Sequence, residues 1–439
     1  MLVIERARHI VRRAMDAGWS GPPFDPITLA ELLKIPVIAR DDVAEARTVP
    51  VGKDSVRIEF NPSRPPNRVR YSVAHEIAHT IFPDCAAHVR NRAAHHEMSG
   101  DEWQLEALCN IGAAEFLMPA GSLHELAPDG LHMDRLLELR STYAVSTEAM
   151  LIRVARMSDS PCAMFCASRI DRGSRAGKYH LDYLIASPGW DEEINRGLIL
   201  PGDSAASECI AIGLTAARVE RWAGSEVDVQ CVGIPAYPGR LDPRVVGVLT
   251  PRRSLGVGKP VREGPHLSYV RGDATKPRGA GIRVIAHIVN DATSNWGGAG
   301  FASALRRAFP EAQRDFQQFS STARGRLALG QSHHTALAED LEAFHMVAQH
   351  GYGPSAKPRI RYAALDSCLS ELGAFAQSKN ASVHVPRIGT GEAGGTWDVV
   401  RDMIIEHVCA KGIAVTVYDL PNRRITPAVQ PAFEFRSRT

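Results

Sequence analysis

The most constraining feature of this sequence is the segment YSVAHEIAHT, residues 71–80, which contains His75, Glu76 and His79 in the order H-E-x-x-H. Residues four apart lie on one face of a helix, so His75 and His79 can direct two imidazole nitrogens at one metal ion. No Gly or Pro follows until Pro83, which favours the helix that this geometry requires. Glu76 lies beside the histidines and is able to take a proton from an attacking water molecule. The motif therefore predicts one zinc ion in a hydrolytic site.

Composition places the chain among globular proteins. Its 439 residues and 44% hydrophobic content favour several domains with buried cores. Residues 1–18 have apolar positions at helical spacing, but Arg and Glu interrupt them, so they lack the apolar run of a signal peptide. No stretch has the length of a transmembrane helix, and eight cysteines without a C-x-x-C pair favour reduced thiols. We therefore expect a cytoplasmic protein that does not bind membranes.

A hydrolytic zinc site needs a third protein ligand, and the residues near the motif offer several. Phe82 and Cys85 stand where a longer three-histidine motif would have Gly and His, so the third ligand comes from elsewhere. The next predicted helix, residues 100–118, carries three glutamates, and the polar connection before it carries three histidines. These candidates are Glu102, Glu106, Glu115, His88, His95 and His96. Spacing alone does not decide among them.

The segments NRVRYSVAHEIAHTIF and EALCNIGAAEFLMP together resemble the ImmA/IrrE-type zinc metallopeptidases. Matching Asn110 and the Leu-Met-Pro end of the second segment to that family implies that Glu106 is the glutamate ligand. Two departures are visible, because Cys109 replaces the family's usual Ala and Gly112 its usual Phe; Gly112 also lowers helix propensity locally. The resemblance implies a protein substrate, typically a helix-turn-helix repressor.

Residues 133–157 predict two helices around a turn at residues 144–146, with Ser146 as the N-cap of the second helix. The resemblance implies that these helices are a helix-turn-helix-like appendage, which completes a zincin-like helical metallopeptidase over residues 1–158. The second helix offers only Arg153 and Arg156 as cations. We therefore expect it to pack or to dock a partner, and we do not expect direct DNA binding.

Residues 159–250 predict a mainly β domain, because short apolar segments alternate with polar breaks. Its position is similar to that of the GAF-like sensor domain of some IrrE-type proteins, so a GAF-like sensor is one interpretation. Residues 251–265 are rich in Gly, Pro and Arg and are expected to form a linker. Residues 426–439 are expected to form a tail.

Residues 266–425 predict an α/β domain with two Gly-rich turns. The strand VIAHIV, residues 284–289, leads into NDATSNWGGAG and a helix, and SVHVP, residues 382–386, leads into RIGTGEAGG and a helix. Such turns allow backbone amides to approach a diphosphate at a helix N-terminus. With YVRGDAT before them and VTVYDL after them, they resemble the macrodomain family, which has an α/β/α fold and binds ADP-ribose.

The macrodomain resemblance implies which residues contact ADP-ribose. Asp273 would accept a hydrogen bond from the adenine amino group, Asn290 and the loop that ends at Phe301 would lie by the distal ribose, and residues 388–395 would hold the diphosphate. The implied contact residues are Asp273, Ala274, Asn290, Gly297, Gly298, Gly300, Phe301, Ile388, Gly389, Thr390, Gly391, Glu392, Ala393 and Gly394.

Two of these positions bear on the choice between binding and hydrolysis. Phe301 and Ala393 stand where hydrolytic macrodomains have acids. The carboxylates left for chemistry nearby are Asp291 and Glu392, so the resemblance favours binding over hydrolysis.

These observations predict a multidomain chain with α+β and α/β parts. We expect a zinc-dependent endopeptidase that cleaves a transcriptional repressor in a stress or defence response, with zinc on His75, His79 and Glu106 and with Glu76 as the base. The macrodomain would bind ADP-ribose or a related nucleotide and regulate cleavage. The alternative is an ADP-ribosyl hydrolase in which the macrodomain is the working enzyme and the peptidase half targets it. A binding protein with a structural zinc is disfavoured, since a three-ligand site leaves one position open.

Overall fold

The computed structural model describes residues 2–52, 55–82, 90–91, 100–123, 131–158, 160–237, 242–252, 267–296, 298, 300–322, 327–353, 355 and 358–420. The chain divides into two compact units, unit 1 (Met1–Gly264) and unit 2 (Pro265–Thr439), and both combine helices with sheet. Among the described helices, none has the length and apolar character needed to span a membrane. Most of the predicted linker and all of the predicted tail lie outside the described residues.

Unit 1 begins with helices packed beside a small sheet. The helices are α1 (Leu2–Asp16), α2 (Pro26–Leu32), α3 (Pro66–His79) and α4 (Gly100–Leu117). The strands are β1 (Val37–Ala39), β2 (Ala46–Pro50), β3 (Val56–Phe60) and β4 (Arg90–Asn91), in the order β1-β3-β2-β4. The predicted motif helix and the helix after it are confirmed. The sequence pattern does not predict β2, because its five residues, ARTVP, are short and end in Pro.

The predicted helix pair and mainly β region follow. Helices α5 (Met133–Thr142) and α6 (Thr147–Met157) are confirmed, and the Ser146 side chain accepts a hydrogen bond from the Ala149 N–H. An antiparallel sheet has the order β6-β5-β9-β8-β7, and a 3-10 helix (Ala205–Ser207) precedes β7. Its strands are β5 (Ala163–Arg169), β6 (Tyr179–Ala186), β7 (Thr215–Trp222), β8 (Ser225–Ile234) and β9 (Arg244–Pro251).

One face of the antiparallel sheet of unit 1 packs on the helical part. A cluster of buried side chains contains Ile77 of α3, Leu151 of α6, Met164 of β5 and Val232 of β8. A second cluster contains Phe165 of β5 and Cys231 of β8, so the sheet also has a core of its own. The domain boundary at residue 158 stays a prediction.

Unit 2 is built on a six-stranded sheet of order β10-β15-β14-β11-β13-β12. Its strands are β10 (Leu267–Arg271), β11 (Arg283–Asn290), β12 (Ser332–Ala338), β13 (Leu341–Gln349), β14 (Ser382–Pro386) and β15 (Val415–Asp419). All neighbours pair in parallel except β12 and β13, which are antiparallel. The helices are α7 (Gly300–Ala308), α8 (Pro310–Thr322), α9 (Tyr362–Ser378) and α10 (Trp397–His407), and a 3-10 helix (Cys409–Lys411) precedes β15.

The helices of unit 2 cover both faces of this sheet. On β13, the ring centroid of His345 lies 5.3 Å from that of Phe316 in α8, and the centroid of Phe344 lies 5.5 Å from that of Phe375 in α9. Successive strand residues point to opposite faces, so α8 and α9 lie on opposite sides. The predicted α/β/α layering is confirmed.

A pair of histidines lies inside unit 2. His287 of β11 is directly opposite His345 of β13, and His287 Nε2 is 2.6 Å from His345 Nδ1. The two residues are 2% and 0% exposed. Burial lowers the pKa of His287 to about 3 and lowers the pKa of His345 well below its usual range. On its other side, His345 Nε2 lies 3.2 Å from the Thr335 hydroxyl, so both rings are held neutral within a polar network.

We predict that unit 2 loses stability as the pH falls below about 6.5, the ordinary pKa of histidine. Below that pH the unfolded chain binds protons on both histidines while the folded unit keeps them neutral, so acidification stabilises the unfolded state. The free energy of unfolding should fall by up to about 1.4 kcal/mol per pH unit for each histidine, until the pH reaches the depressed folded pKa.

This loss is measured by urea unfolding of the full chain at neutral and at mildly acidic pH. Pulsed proteolysis monitors the peptides of unit 2. His287→Gln should reduce the pH dependence. His334→Gln, which replaces a half-exposed histidine on β12, should retain it. An unfolding midpoint of unit 2 that does not move with pH would contradict the prediction.

Candidate active site

The two motif histidines and Glu106 meet where α3 packs on α4. His75 Nε2 lies 2.9 Å from Glu106 Oε2, and His79 Nε2 lies 3.2 Å from Glu106 Oε1. The ligand atoms of the three side chains all lie within 4.8 Å of one another. Both histidines are buried, while 17% of the Glu106 side chain is exposed. Two imidazole nitrogens and a carboxylate therefore converge on one point that is open on the side of Glu106.

Gly112 allows this close approach of the helices. A Cβ atom at position 112 would lie 2.9 Å from the Cβ of Ala78, which is on α3 between the two histidines. Real Cβ atoms do not come so close, so a larger residue would push α4 away from α3. The departure from the family's usual Phe thus has a packing reason, which outweighs the lower helix propensity of glycine.

Further side chains orient the two imidazole rings. Asn110 Oδ1 lies 3.0 Å from His75 Nδ1 and also accepts a hydrogen bond of 2.7 Å from the Tyr71 hydroxyl. Because a carbonyl oxygen only accepts, His75 Nδ1 carries the proton and Nε2 presents its lone pair to the site. Cys109 Sγ lies 3.3 Å from His79 Nδ1, so it contacts the ring of His79 at the nitrogen where Asn110 contacts the ring of His75.

Glu76 is the buried carboxylate of the site. Its residue is 0% exposed, and Oε2 accepts a hydrogen bond of 2.7 Å from the hydroxyl of Thr48. Its other oxygen, Oε1, is buried and has no hydrogen-bond partner among the described residues. Burial raises the pKa of Glu76 despite the opposing effect of the two histidines. An unpaired acceptor with a raised pKa is suited to receive a proton.

Glu106 has the opposite electrostatic character. Burial works to raise its pKa, but the nearby imidazoles of His75 and His79 outweigh burial and lower the pKa well below its usual range. A carboxylate that stays ionised beside two imidazoles fits a divalent metal with nitrogen and oxygen ligands, a class that includes zinc. The residues present therefore fit the predicted ion.

Of the other candidates for the third ligand, the structure describes the side chain of Glu115. Glu115 is buried and lies 2.6 Å from Arg153 of α6, and its Oε1 also accepts a hydrogen bond from the Ala120 N–H. Burial works to raise the pKa of Glu115, but Arg153 keeps it lowered, so this carboxylate is committed to an internal ion pair. The side chain of Glu102 lies outside the described residues, as do His88, His95 and His96.

In unit 2, the predicted ligand residues follow the carboxyl ends of parallel strands. Asp273 and Ala274 come after β10, Asn290 ends β11, and residues 388–394 come after β14. Gly298 precedes α7, which begins with Gly300 and Phe301, and Gly297 lies outside the described residues. Ligands of open parallel sheets bind at this edge of the sheet.

Local hydrogen bonds shape these loops. Asp273 Oδ1 accepts from the Thr275 N–H at 2.9 Å, and Asn290 Oδ1 accepts from the N–H groups of Ala292 and Thr293. At Gly389, φ is +77°, and a Cβ atom would lie 2.6 Å from Ile360 Cδ1, so this position of the second loop requires glycine.

The structure adds a histidine that the sequence pattern does not reveal. His350 follows β13, and its Nδ1 lies 2.8 Å from Asp291 Oδ2, while Asp291 Oδ1 accepts from the Gly351 N–H. Burial works to raise the pKa of Asp291, but the bonds from Gly351 and His350 outweigh it and lower the pKa. Only the pairing of β11 with β13 joins these residues, which are about 60 positions apart in sequence.

This dyad is tied to the second Gly-rich loop. The His350 N–H donates to the Arg359 carbonyl, and the Arg359 N–H donates to the carbonyl of Ala393, each at 2.8 Å. Glu392, the other predicted carboxylate, is exposed.

Comparison with known proteins adds family relationships. A family model described as IrrE N-terminal-like domain, peptidase M78, matches residues 30–155. The chain is 30% identical over 164 residues to the radiation response metalloprotease IrrE of Deinococcus deserti, which covers 34% of this chain and 56% of that protein. It is 31% identical over 173 residues to the mouse chromodomain-helicase-DNA-binding protein 1-like, which covers 38% of this chain and 19% of that protein. The chain thus spans less than two thirds of the length of both relatives.

This chain is 36% identical to a solved macrodomain protein from Streptomyces coelicolor. The match covers 35% of this chain and 98% of the solved chain, with a TM-score of 0.31. At a TM-score of this size, the structural overlap adds nothing to the sequence identity.

We predict that Asn110→Ala weakens zinc binding by about 10- to 100-fold, because His75 loses the acceptor that fixes its tautomer. Asn110→Asp keeps an oxygen at this position and should restore most of the affinity. Titration of the full-length variants against a chromophoric zinc chelator measures the change. Equal zinc affinity in the parent and in Asn110→Ala would contradict this role.

Proposed function

Because this chain joins an IrrE N-terminal-like peptidase domain to a macrodomain-like region, we propose that it is a zinc-dependent endopeptidase with a nucleotide-binding module. One observation carries the proposal. Glu76 is buried, one of its carboxylate oxygens has no partner among the described residues, and its pKa responds to the charges of His75, His79 and Glu106, whose ligand atoms converge. Structural zinc sites have four protein ligands, whereas three ligands and an adjacent base are typical of hydrolytic sites.

The residues of the site have distinct roles in this proposal. His75, His79 and Glu106 hold the zinc ion, which when bound polarises the scissile carbonyl and lowers the pKa of the attacking water. Glu76 receives the water proton on its free Oε1 and donates it to the nitrogen of the leaving amine. Thr48 holds the other oxygen of Glu76 and so fixes the orientation of the carboxylate.

The substrate and the regulation are further parts of the proposal. The IrrE-type resemblance supports a helix-turn-helix repressor as the substrate, cleaved in a stress or defence response in the cytoplasm. The macrodomain-like region supports ADP-ribose, or a related nucleotide, as a ligand that regulates cleavage. The antiparallel sheet is proposed to be GAF-like, and α5 and α6 to be the helix-turn-helix-like appendage. Arg153 of α6 is buried against Glu115, which supports a packing role for α6 over DNA binding.

We predict that Glu76→Gln retains one zinc ion per chain and lowers the rate of repressor cleavage by about 10²- to 10⁴-fold, because only proton transfer is removed. Glu106→Ala should instead lose zinc, and Glu102→Ala should retain it as a matched control on the same helix. Zinc content by elemental analysis and cleavage of a purified helix-turn-helix repressor give both readouts. Cleavage at the parent rate by Glu76→Gln would refute the proposed base, and zinc retention by Glu106→Ala would move the third ligand elsewhere.

We also predict that ADP-ribose binds unit 2 in the full chain and changes the rate of repressor cleavage. Calorimetry with ADP-ribose measures the binding, and cleavage assays with and without saturating ADP-ribose measure the effect. Gly389→Val should abolish binding, because even the first carbon of the new side chain would lie 2.6 Å from Ile360 Cδ1. Absence of heat with the parent chain would remove the nucleotide from the proposal, and binding without a change in cleavage would remove the regulation.

A second candidate function is hydrolysis of ADP-ribosyl bonds by unit 2, with the peptidase half as a targeting platform. The Asp291–His350 dyad favours it, because Asp291 holds Nδ1 of the ring and leaves Nε2 of an exposed histidine as a base at the predicted ligand edge. If unit 2 is hydrolytic, His350→Gln should lower the release of ADP-ribose from an ADP-ribosylated protein by at least about 10²-fold while calorimetry still detects ADP-ribose binding. Release at the parent rate from His350→Gln would exclude the dyad as the base.

A further inference from the structure

Two cysteine thiols are in contact inside the antiparallel sheet of unit 1. Cys231 is on β8, and Cys209 follows the 3-10 helix Ala205–Ser207. Their sulfur atoms are 3.5 Å apart, and both residues are 0% exposed. Among the described cysteines, which are all buried and free, this is the pair whose sulfur atoms are in hydrogen-bond contact.

The backbone holds these thiols together. The Gly233 N–H donates to the Leu214 carbonyl at 3.0 Å, and the Gly213 N–H donates to the Gly233 carbonyl at 2.8 Å. A Cβ atom at Gly233 would lie 2.1 Å from the carbonyl oxygen of Ala211. The segment after Cys209 is therefore pressed against β8, two residues beyond Cys231, and the sulfur contact does not depend on a flexible surface loop.

The surroundings make Cys209 the more acidic thiol of the two. The hydrogen bond from Cys231 lowers the pKa of Cys209, whereas the same bond together with burial raises the pKa of Cys231. The residues that follow Cys209 are strongly exposed: Ile210 is 70% exposed and Ile212 is 65% exposed. A short segment thus separates Cys209 from solvent, and a small uncharged oxidant needs only a local opening of that segment to reach it.

We propose that Cys209 and Cys231 are an oxidation site that forms a disulfide when the protein meets a hydroperoxide. The Cys209 thiol loses its proton and its sulfur attacks hydrogen peroxide, the O–O bond breaks, and Cys209 becomes a sulfenic acid while the leaving hydroxide takes that proton and departs as water. The Cys231 sulfur then attacks the Cys209 sulfur, the S–O bond breaks, and the leaving oxygen takes the Cys231 proton and departs as a second water. Two thiols are oxidised, one hydrogen peroxide is reduced and two waters form.

The pair lies in the buried cluster on one face of the antiparallel sheet, and the residues of β8 that flank Cys231 contact the helical part on the other face. Disulfide formation shortens the sulfur separation to about 2.05 Å and so pulls the segment around Cys209 and β8 together. On the same strand, next to Cys231, the Gln230 side chain donates to the Leu131 carbonyl and accepts from the Met133 N–H at the start of α5, both at 2.9 Å. Val232 of β8 belongs to the buried cluster that also contains Ile77 of α3.

The test treats the full chain, under native conditions, with hydrogen peroxide in stepwise excess. Free thiols are then blocked with N-ethylmaleimide, and the intact mass and the non-reduced peptide map are recorded. We expect a loss of two hydrogens per chain, one peptide that links Cys209 to Cys231, and reversal by dithiothreitol. The link should form before the other described cysteines lose their thiols.

Cys409→Ser, which removes a buried thiol of unit 2, should leave the link unchanged, whereas Cys209→Ser and Cys231→Ser should each abolish it. The proposal is overturned if Cys209 and Cys231 still react as free thiols after other cysteines are oxidised. It is equally overturned if either cysteine links to a different partner. Peptide mapping of the parent chain decides between these outcomes even if a serine variant does not fold. The result is independent of peptidase activity and of nucleotide binding.

Discussion

The close packing of α3 on α4 is the constraint on which the candidate active site depends. His75 and His79 come from one helix and Glu106 from the other, so their donor atoms converge only if the helix axes are close. The contact between Ala78 and Gly112 provides that closeness, since neither residue has more than a methyl group. Asn110 and Cys109, on the same turn of α4, then meet the outer nitrogens of the two histidines. One helix contact thus sets both the donor positions and the ring orientations.

Helix α6 stabilises the end of α4 through a buried ion pair. Glu115, near the end of α4, is buried in an ion pair with Arg153 of α6, whose guanidinium also donates to the Met118 carbonyl. Arg8 also lies 3.7 Å from the Glu115 carboxylate. Removing Glu115 would leave the buried Arg153 without its carboxylate partner, which typically costs about 3–5 kcal/mol. Because α6 in turn packs in the core that it shares with one face of the antiparallel sheet, packed side chains connect that sheet to α3.

Unit 2 follows a different organisation. Its parallel strands bring loops that are distant in sequence to one edge of the sheet, which is why Asn290, the Asp291–His350 dyad and the second Gly-rich loop occur together there. The interior is less apolar than its strands suggest, because His287 and His345 occupy core positions on facing strands. Burying two neutral histidines makes this unit sensitive to acid in a way that a Val or Leu pair would not.

The sequence by itself determined the local elements and the motif residues of this protein. Periodicity and capping predict α3, α4, α5 and α6, and H-E-x-x-H places His75, Glu76 and His79 on one helix, because these depend on neighbours a few positions away. Only the tertiary structure decided what meets across long separations. Thr48, on a strand that the sequence does not predict, donates a hydrogen bond to Glu76, and Arg153 forms an ion pair with Glu115. His350 pairs with Asp291, and Cys209 contacts Cys231. None of these pairs has a sequence signature, because strand pairing and helix packing, and not residue spacing, bring them together.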